Sequence, residues 1–244
     1  MFRRRRSAQA DDEIYEDEPF DDELAEPGPP VGVPRAEGGP WDVDEPHPVR
    51  ERKDLGSLLV PVGPDCEIEL TLAEQQGAWV TVRYGDSEMT VQAFAAPRRG
   101  ALWDDLRAEI AAEISAAGGQ SEETAGPFGV EVMAQVPVPP GQAGPGLYPA
   151  RFVGVDGPRW LLRALITGPA VSGGSAASVL EEAFRDMVVV RGEHPVPPRD
   201  LLELRLPPEA MKAYEEQAAA AAEENRFRTD LGPFDRGPEF TETR

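Results

Sequence analysis

With one cysteine, two histidines and two lysines in 244 residues, the chain has little from which to build several common kinds of site. Cys66 alone supplies neither a disulfide framework nor a thiolate metal cluster, and it fits a reducing, cytoplasmic setting. His47 and His194 lack paired ligand spacing, so no zinc site is expected. No stretch reaches the ~18 apolar residues of a membrane span. The opening "MFRRRR" carries the charge of a signal n-region, yet "SAQADDEIYEDEPFDDELAEPGPP" follows it with no apolar core. Base is also scarce: 24 Lys and Arg face 45 Asp and Glu, for a net charge of −21. The acidic excess runs through both ends and the middle. It disfavours nonspecific nucleic-acid binding by the domain as a whole, which needs clustered positive charge to displace counterions. "GPAVSGGSA" is the strongest glycine cluster, but it has neither the Lys-Ser/Thr of a P-loop nor G-x-G-x-x-G spacing. The sequence therefore predicts no catalytic residue, no cofactor and no metal.

Residues 1–52 combine a basic patch, an acidic run and a Pro/Gly-rich stretch, and bury too little apolar area to offset their ordering entropy. They read as a disordered acidic arm. Within it "EIYEDEPFDDEL" spaces Ile14, Tyr15, Phe20 and Leu24 among acids, the pattern of a solubilising tail or of a segment that orders on a partner. From Leu55 the pattern turns to alternation, and "SLLVPV", "CEIELTL", "WVTVRYG" and "EMTVQAFAAP" predict four short antiparallel strands, the last two joined across "YGDSE". Cys66, Ile68, Leu70 and Leu72 share one face of the second, opposite Glu67, Glu69 and Thr71.

"ALWDDLRAEIAAEISAAGG" switches to helical period, with Trp103, Leu106, Ile110, Ile114 and Ala117 on one stripe, which predicts a helix near 101–117. Asp104 and Asp105 suit its N-terminal end, and Gly118 or Gly119 its stop. "FGVEVMAQVPV" and "FVGVDGPRWLLRALITGPAV" give three more strands. "SAASVLEEAFRDMVVV" gives a second helix near 175–190, with Ser175 as its N-cap and Leu180, Phe184 and Met187 inward. Leu202, Leu204 and Leu206 alternate with Glu203 and Arg205 as a last strand. The fold class is α+β: a largely antiparallel sheet of about six to eight strands with two main helices, over residues 53–208. A peripheral helix at 209–225, with Met211 and Tyr214 as its large apolar anchors, and a disordered tail at 226–244 follow.

The candidate site lies around the Asp156-Gly157 turn. Trp160, Leu162, Ala164 and Ile166 alternate with Arg159, Leu161, Arg163 and Leu165, so Trp160 belongs to the core and Arg159 and Arg163 share the mixed face. Their α-carbons would stand roughly 13 Å apart, a spacing for an extended anionic partner. A two-residue Asp156-Gly157 loop would pair Val155 with Pro158; a loop that includes Pro158 would place Arg151 opposite Arg163. Arg98 and Arg99, in "AAPRRGALW", add charge beside the first helix. A nucleophile reading would pair Cys66 with His194, but Cys66 has no basic neighbour to lower its pKa and reads as a small core residue.

The segments "DLGSLLVPV", "QAFAAPRRGALWDDLRAEIAAEI", "GPFGVEV", "ARFVGVDGPRWLLR" and "FRDMVVVRGEHPVPPRDLLELRLP" together resemble an actinobacterial group, domain-of-unknown-function family 3710, over about Gly39 to Pro208. The resemblance carries no activity, cofactor or catalytic residue. The order strands, helix, strands, helix is also similar to the Mog1/PsbP-type α+β sandwich, a likeness of topology that assigns no function. The expected function is a non-catalytic cytoplasmic interaction or accessory module with a protein partner, met by Arg159, Arg163, Arg98 and Arg99. Two other classes stand beside it: a hydrolase or transferase with carboxylates gathered from separate strands, and a nucleic-acid accessory protein using Arg3 to Arg6.

Overall fold

The structure is a computed structural model that describes residues 38–73, 77–138 and 146–207. Arg3 to Arg6, the "EIYEDEPFDDEL" motif, the helix expected at 209–225 and the tail lie outside the described residues. The fold is α+β, built on a seven-stranded antiparallel sheet. Its strands are β4 (Glu67–Ala73), β5 (Gly77–Tyr84), β6 (Ser87–Ala95), β7 (Gln120–Gly126), β8 (Gly129–Pro137), β9 (Leu147–Gly157) and β10 (Trp160–Thr167). Their order in the sheet is β4-β5-β6-β10-β9-β8-β7. Two meanders thus meet where β6 pairs with β10, and helix α1 (Trp103–Ala116) carries the chain from the centre of the sheet to its far edge. A smaller sheet joins β1 (Trp41–Asp42), β11 (Val188–Val189), β3 (Leu58–Pro61) and β2 (Arg52–Asp54) in that order.

Alternation decides which face each strand buries. Trp160, Leu162, Ala164 and Ile166 lie with Val80, Val82, Met89 and Val91 in the main core, under helix α2 (Gly174–Arg185) and the small sheet. The opposite face carries a second, smaller core in which Leu161 and Ala134 meet Trp103, Ile110 and Ile114 of α1. At its C-terminal end α1 stops where Gly118 takes φ +87° and the Gly119 N–H reaches the Ile114 carbonyl at 2.8 Å, so of the two candidate glycines it is Gly118 that ends the helix.

Several boundaries differ from the sequence reading. Helix α2 starts after Gly173, which caps it without a side chain, so Ser175 is not the cap. It ends at Arg185 because Met187–Val189 leave the helix to place two buried valines between β1 and β3. β1 and the first residue of β2, Arg52, lie within the stretch read as an arm. β1 owes its place to β11, far along the chain, which local composition does not encode, whereas β2 pairs with the neighbouring β3. Leu202 and Leu204 are buried as the alternation requires, but Leu201–Leu204 make isolated bridges to Phe94 and Gly56 instead of a strand. Among the described residues no helix is long and apolar enough to cross a membrane.

Candidate functional site

The β9–β10 hairpin turns at Pro158-Arg159, because Gly157 pairs with Trp160. This replaces both registers considered from the sequence: Val155 faces Leu162, Arg151 faces Ile166 and Arg163 faces Gly154. Pro158 supplies a fixed φ at the first corner, and Arg159 takes φ +62° at the second, a position that favours glycine. The glycines of "GVDG" serve close packing. A Cβ on Gly154 would meet the Trp103 ring at 2.3 Å, and one on Gly157 would meet the Trp160 ring at 2.1 Å. Both indoles are pinned by their N–H groups, Trp103 to the Val130 carbonyl at 2.8 Å and Trp160 to an Asp42 carboxylate oxygen at 2.6 Å.

Asp156, the residue between Val155 and Gly157, caps α1. Its Oδ1 accepts from the Leu102 N–H at 2.8 Å and its Oδ2 from the Trp103 N–H at 3.1 Å. Burial pushes the carboxyl above its ordinary value, the two backbone N–H groups pull it down, and the charges of Asp104 and Asp105 add to the rise. The sequence reading gave this helix end to Asp104 and Asp105. The "RGAL" before Trp103 offers no Ser, Thr, Asp or Asn, and that gap was the signal that a cap must come from elsewhere.

The four candidate arginines separate. Arg98, Arg99 and Arg159 are exposed and gather at one end of the sheet: the Ala96 N–H donates to the Arg159 carbonyl at 2.9 Å, which brings the loop carrying Arg98 and Arg99 against the turn. Arg163 does not join them. It stands on the α1 face, stacked over the Phe94 ring at 5.0 Å and bonded to Gln92 Oε1. Burial holds its guanidinium below the ordinary value, with Glu113 opposing. The shared face for Arg159 and Arg163 fails because Arg159 is a corner of the turn and not a strand residue.

A fifth arginine, Arg191, joins the end. Its Nε donates to the Arg159 carbonyl at 3.2 Å and its terminal nitrogens to the carbonyls of His194 and Val196 at 3.0 and 3.4 Å. Burial, then the charge of Arg159, lower its pKa, so two guanidiniums face the same space. Sequence reasoning missed this clamp because it binds carbonyls, which leave no pattern in side-chain identity.

Two acids do converge elsewhere. Glu131 on β8, fully buried, accepts from Arg151 of β9 at 2.6 and 3.2 Å, and Glu181 of α2 accepts from its remaining nitrogen at 2.6 Å. Desolvation pulls the Arg151 guanidinium down, and the bonds and charges of both glutamates more than reverse it. Each carboxylate is thus committed to a cation, and neither lines the nearby depression of about 360 Å³ between Gln120, Gln135, Pro149 and Ser172. Cys66 packs half-buried against the main core, where burial and then Asp65 push its thiol up, away from the thiolate a nucleophile needs. His194 sits in an exposed loop. Among the described residues no group of three or more His, Cys, Asp or Glu side chains is arranged to hold a metal ion.

The model of one protein family, described as a protein of unknown function (DUF3710), matches residues 39–213, well over half of the chain. No curated protein and no solved structure matches it.

Proposed function

The chain belongs to the DUF3710 family, and we propose that it works as a non-catalytic, cytoplasmic interaction module whose arginine end takes an acidic segment of a partner protein. One observation carries the reading. Arg50, Arg83, Arg107, Arg151, Arg199 and Arg205 each contact a carboxylate, whereas the exposed Arg98, Arg99 and Arg159 contact none among the described residues. In a chain where acids outnumber bases 45 to 24, three exposed arginines without carboxylate partners, on two segments joined by the Ala96–Arg159 backbone bond, make a local excess of positive charge. They are held on a rigid support, since Arg159 follows a fixed proline and its carbonyl is tied twice. Guanidiniums bind carboxylates through paired N–H groups, so a short acidic peptide suits the cluster. A long polyanion suits it less, because the cluster attracts only over about a Debye length, about 8 Å, and the rest of the polyanion would lie against acidic surface. The single cysteine supports the cytoplasmic setting. The order strands, helix, strands, helix supports reading the fold as Mog1/PsbP-type, and the scarcity of lysine beside arginine supports an actinobacterial source; neither assigns the activity.

The test is fluorescence anisotropy with a labelled peptide alternating glutamate and leucine, and in parallel with duplex DNA. Saturable, salt-weakened peptide binding by the full chain is expected, lost in the Arg98→Ala, Arg99→Ala, Arg159→Gly triple variant. Preference for DNA, or a triple variant that binds the peptide as well as the parent, would overturn the proposal.

A further inference from the structure

The sheet end that carries Arg159 also holds a largely apolar groove of about 400 Å³. Leu72, Gly77 and Ala78 of β4 and β5 form one wall, and Leu201, Leu202 and Leu204 the other. The groove exists because β5 parts from β6. Their ladder stops at the pair Val80–Val91, and beyond it residues 200–202 run along β6 in place of β5: the Ala95 N–H donates to the Asp200 carbonyl and the Leu202 N–H to the Ala93 carbonyl, each at 2.8 Å. Those two bonds flank the bridge between Phe94 and Leu201, so the Leu201 N–H and C=O point away from β6, and they have no backbone partner among the described residues. The walls are also under-covered. Ile68 and Leu70 pack against the main core, whereas Leu72, on the same face of β4, is 56% exposed. Glu203, the one charged residue of the lining, is engaged by Arg205 at 3.0 Å.

We infer that the acidic partner segment also seats an apolar side chain in this groove, so that it is an extended peptide in which a leucine-like residue stands about three uncharged residues away from the acids. The inference rests on the arginine end as the seat of those acids and specifies what lies beside them. The spacing follows from register. Leu161, Phe94 and Leu201 stand in one row across adjoining chains, and Arg159 lies two residues before Leu161. At about 4.8 Å per strand and 3.3 Å per residue, Arg159 is roughly 12 Å from Leu201, the length of about four extended residues. The path between them passes Asp200, exposed beside Leu201, which repels a carboxylate placed opposite it and so calls for an uncharged stretch. A peptide suits the groove better than a small apolar molecule, because an extended backbone can pair with the outward N–H and C=O of Leu201 while one side chain enters between the walls. The two halves of the surface then divide the recognition. The arginines select acid, and the groove selects among acidic segments, which charge alone does not distinguish.

The experiment measures anisotropy of the full chain with two labelled peptides, a run of glutamates preceded by Ser-Gly-Ser, with and without a leading pair of leucines. The leucines should tighten binding to the parent by about tenfold, equal to ~1.4 kcal/mol. Leu72→Ser, a change at an exposed side chain, should remove that gain and leave the acid-only peptide as before, and the Arg98→Ala, Arg99→Ala, Arg159→Gly variant should lose both peptides. No gain from the leucines, or a gain that survives Leu72→Ser, overturns the inference while acid-only binding still upholds the arginine end. Failure of the arginine end has a different mark, a triple variant that holds both peptides as the parent does, and it takes the inference with it. Displacement of the leucine peptide by decanoate at comparable affinity would make a fatty acid the occupant. A parent that sediments as a dimer and turns monomeric on Leu72→Ser would make it a second copy, and either result overturns the peptide assignment.

Discussion

Arg151 and Arg159 sit on the same hairpin and face different environments. Arg151, on β9, is 6% exposed and held between Glu131 and Glu181; Arg159, at the turn, is exposed and has no carboxylate partner among the described residues. The first pairing is imposed by burial. A guanidinium in the interior without a counter-charge costs several kcal/mol, so the fold needs the glutamates whatever the protein does. Nothing comparable acts on Arg159, where solvent supplies the missing interaction and a surface ion pair would add only about 0–1 kcal/mol. The paired arginine therefore informs about stability, and the unpaired ones about what lies outside the molecule. That contrast makes four predictions, from the largest effect to the smallest.

The turn end is open in charge but not loose in packing, and Trp160→Ala tests that distinction. Trp160 is fully buried, adjoins Gly157 and donates to Asp42 of the small sheet. Truncation removes a buried indole and leaves Asp42 Oδ2 without that donor, while Oδ1 still accepts from the Asp44 N–H at 2.9 Å, for an expected cost of about 3–5 kcal/mol from the ring and more from the unpaired oxygen. Urea unfolding reads it directly. A loss below about 1 kcal/mol would mean that the turn is not anchored to the core.

At the other end of the comparison, Arg151→Met leaves Glu131 buried against a methionine. The expected loss is about 3–5 kcal/mol, as for other broken buried pairs. Glu131→Leu combined with Arg151→Met removes both charges and should recover most of it, because a buried pair and a well-packed apolar replacement are often nearly equal in stability. If the double variant is as unstable as the single one, the ion triad contributes more than compensation, and the interior and the turn differ less in kind.

The elements legible in the sequence are those whose own pattern carries their burial. The alternation of Trp160, Leu162, Ala164 and Ile166 names the core face of β10, and the stripe Trp103, Ile110, Ile114 names that of α1. β7 was missed because "QSEETAG" is a polar edge strand with no apolar alternation to reveal it. β1 was missed because Trp41–Asp42 is too short to have a period and is defined by β11, far along the chain. In the site, the Asp-Gly pair looked like the turn, yet packing claimed both residues, Asp156 for the α1 cap and Gly157 for the Trp160 ring, and moved the turn to Pro158-Arg159. Glu131 had a visible sign, since it shares a strand face with Met133, whereas its partnership with Arg151 and Glu181 depends on register and helix placement, which no local window contains.

Asp156 lies between the two regimes, half-buried and bonded only to backbone N–H groups, and its effect is pH-dependent. Its folded-state pKa is raised, chiefly by burial, so the folded chain keeps this proton to a higher pH than the unfolded chain does. Its contribution is fully present below the ordinary aspartate value of about 3.8 and is lost as pH rises through the raised folded value. Asp156→Asn removes this titration and keeps a good cap, since asparagine and aspartate rank alike there. Measured by urea unfolding from acid to neutral pH, the variant should therefore gain on the parent as pH rises across that window. A gain in the opposite direction would mean that the cap bonds outweigh burial and that the carboxylate is stabilised as an anion.

The smallest stability effect carries the sharpest statement about function. Arg159 holds φ +62°, which costs a side-chain-bearing residue about 1–2 kcal/mol relative to glycine. Arg159→Gly relieves that strain, while the added freedom of the unfolded chain returns roughly 0.4–1 kcal/mol. The residue 159 carbonyl remains, so the bonds from the Ala96 N–H and from Arg191 survive the change. Stability should accordingly stay within about 1 kcal/mol of the parent, on the favourable side if either. If Arg159 acts through its charge, as proposed, affinity for the acidic peptide should fall while the thermal midpoint does not. A variant that unfolds earlier would assign Arg159 to the architecture of the turn, and one that keeps full peptide affinity would move the binding surface away from this end of the sheet.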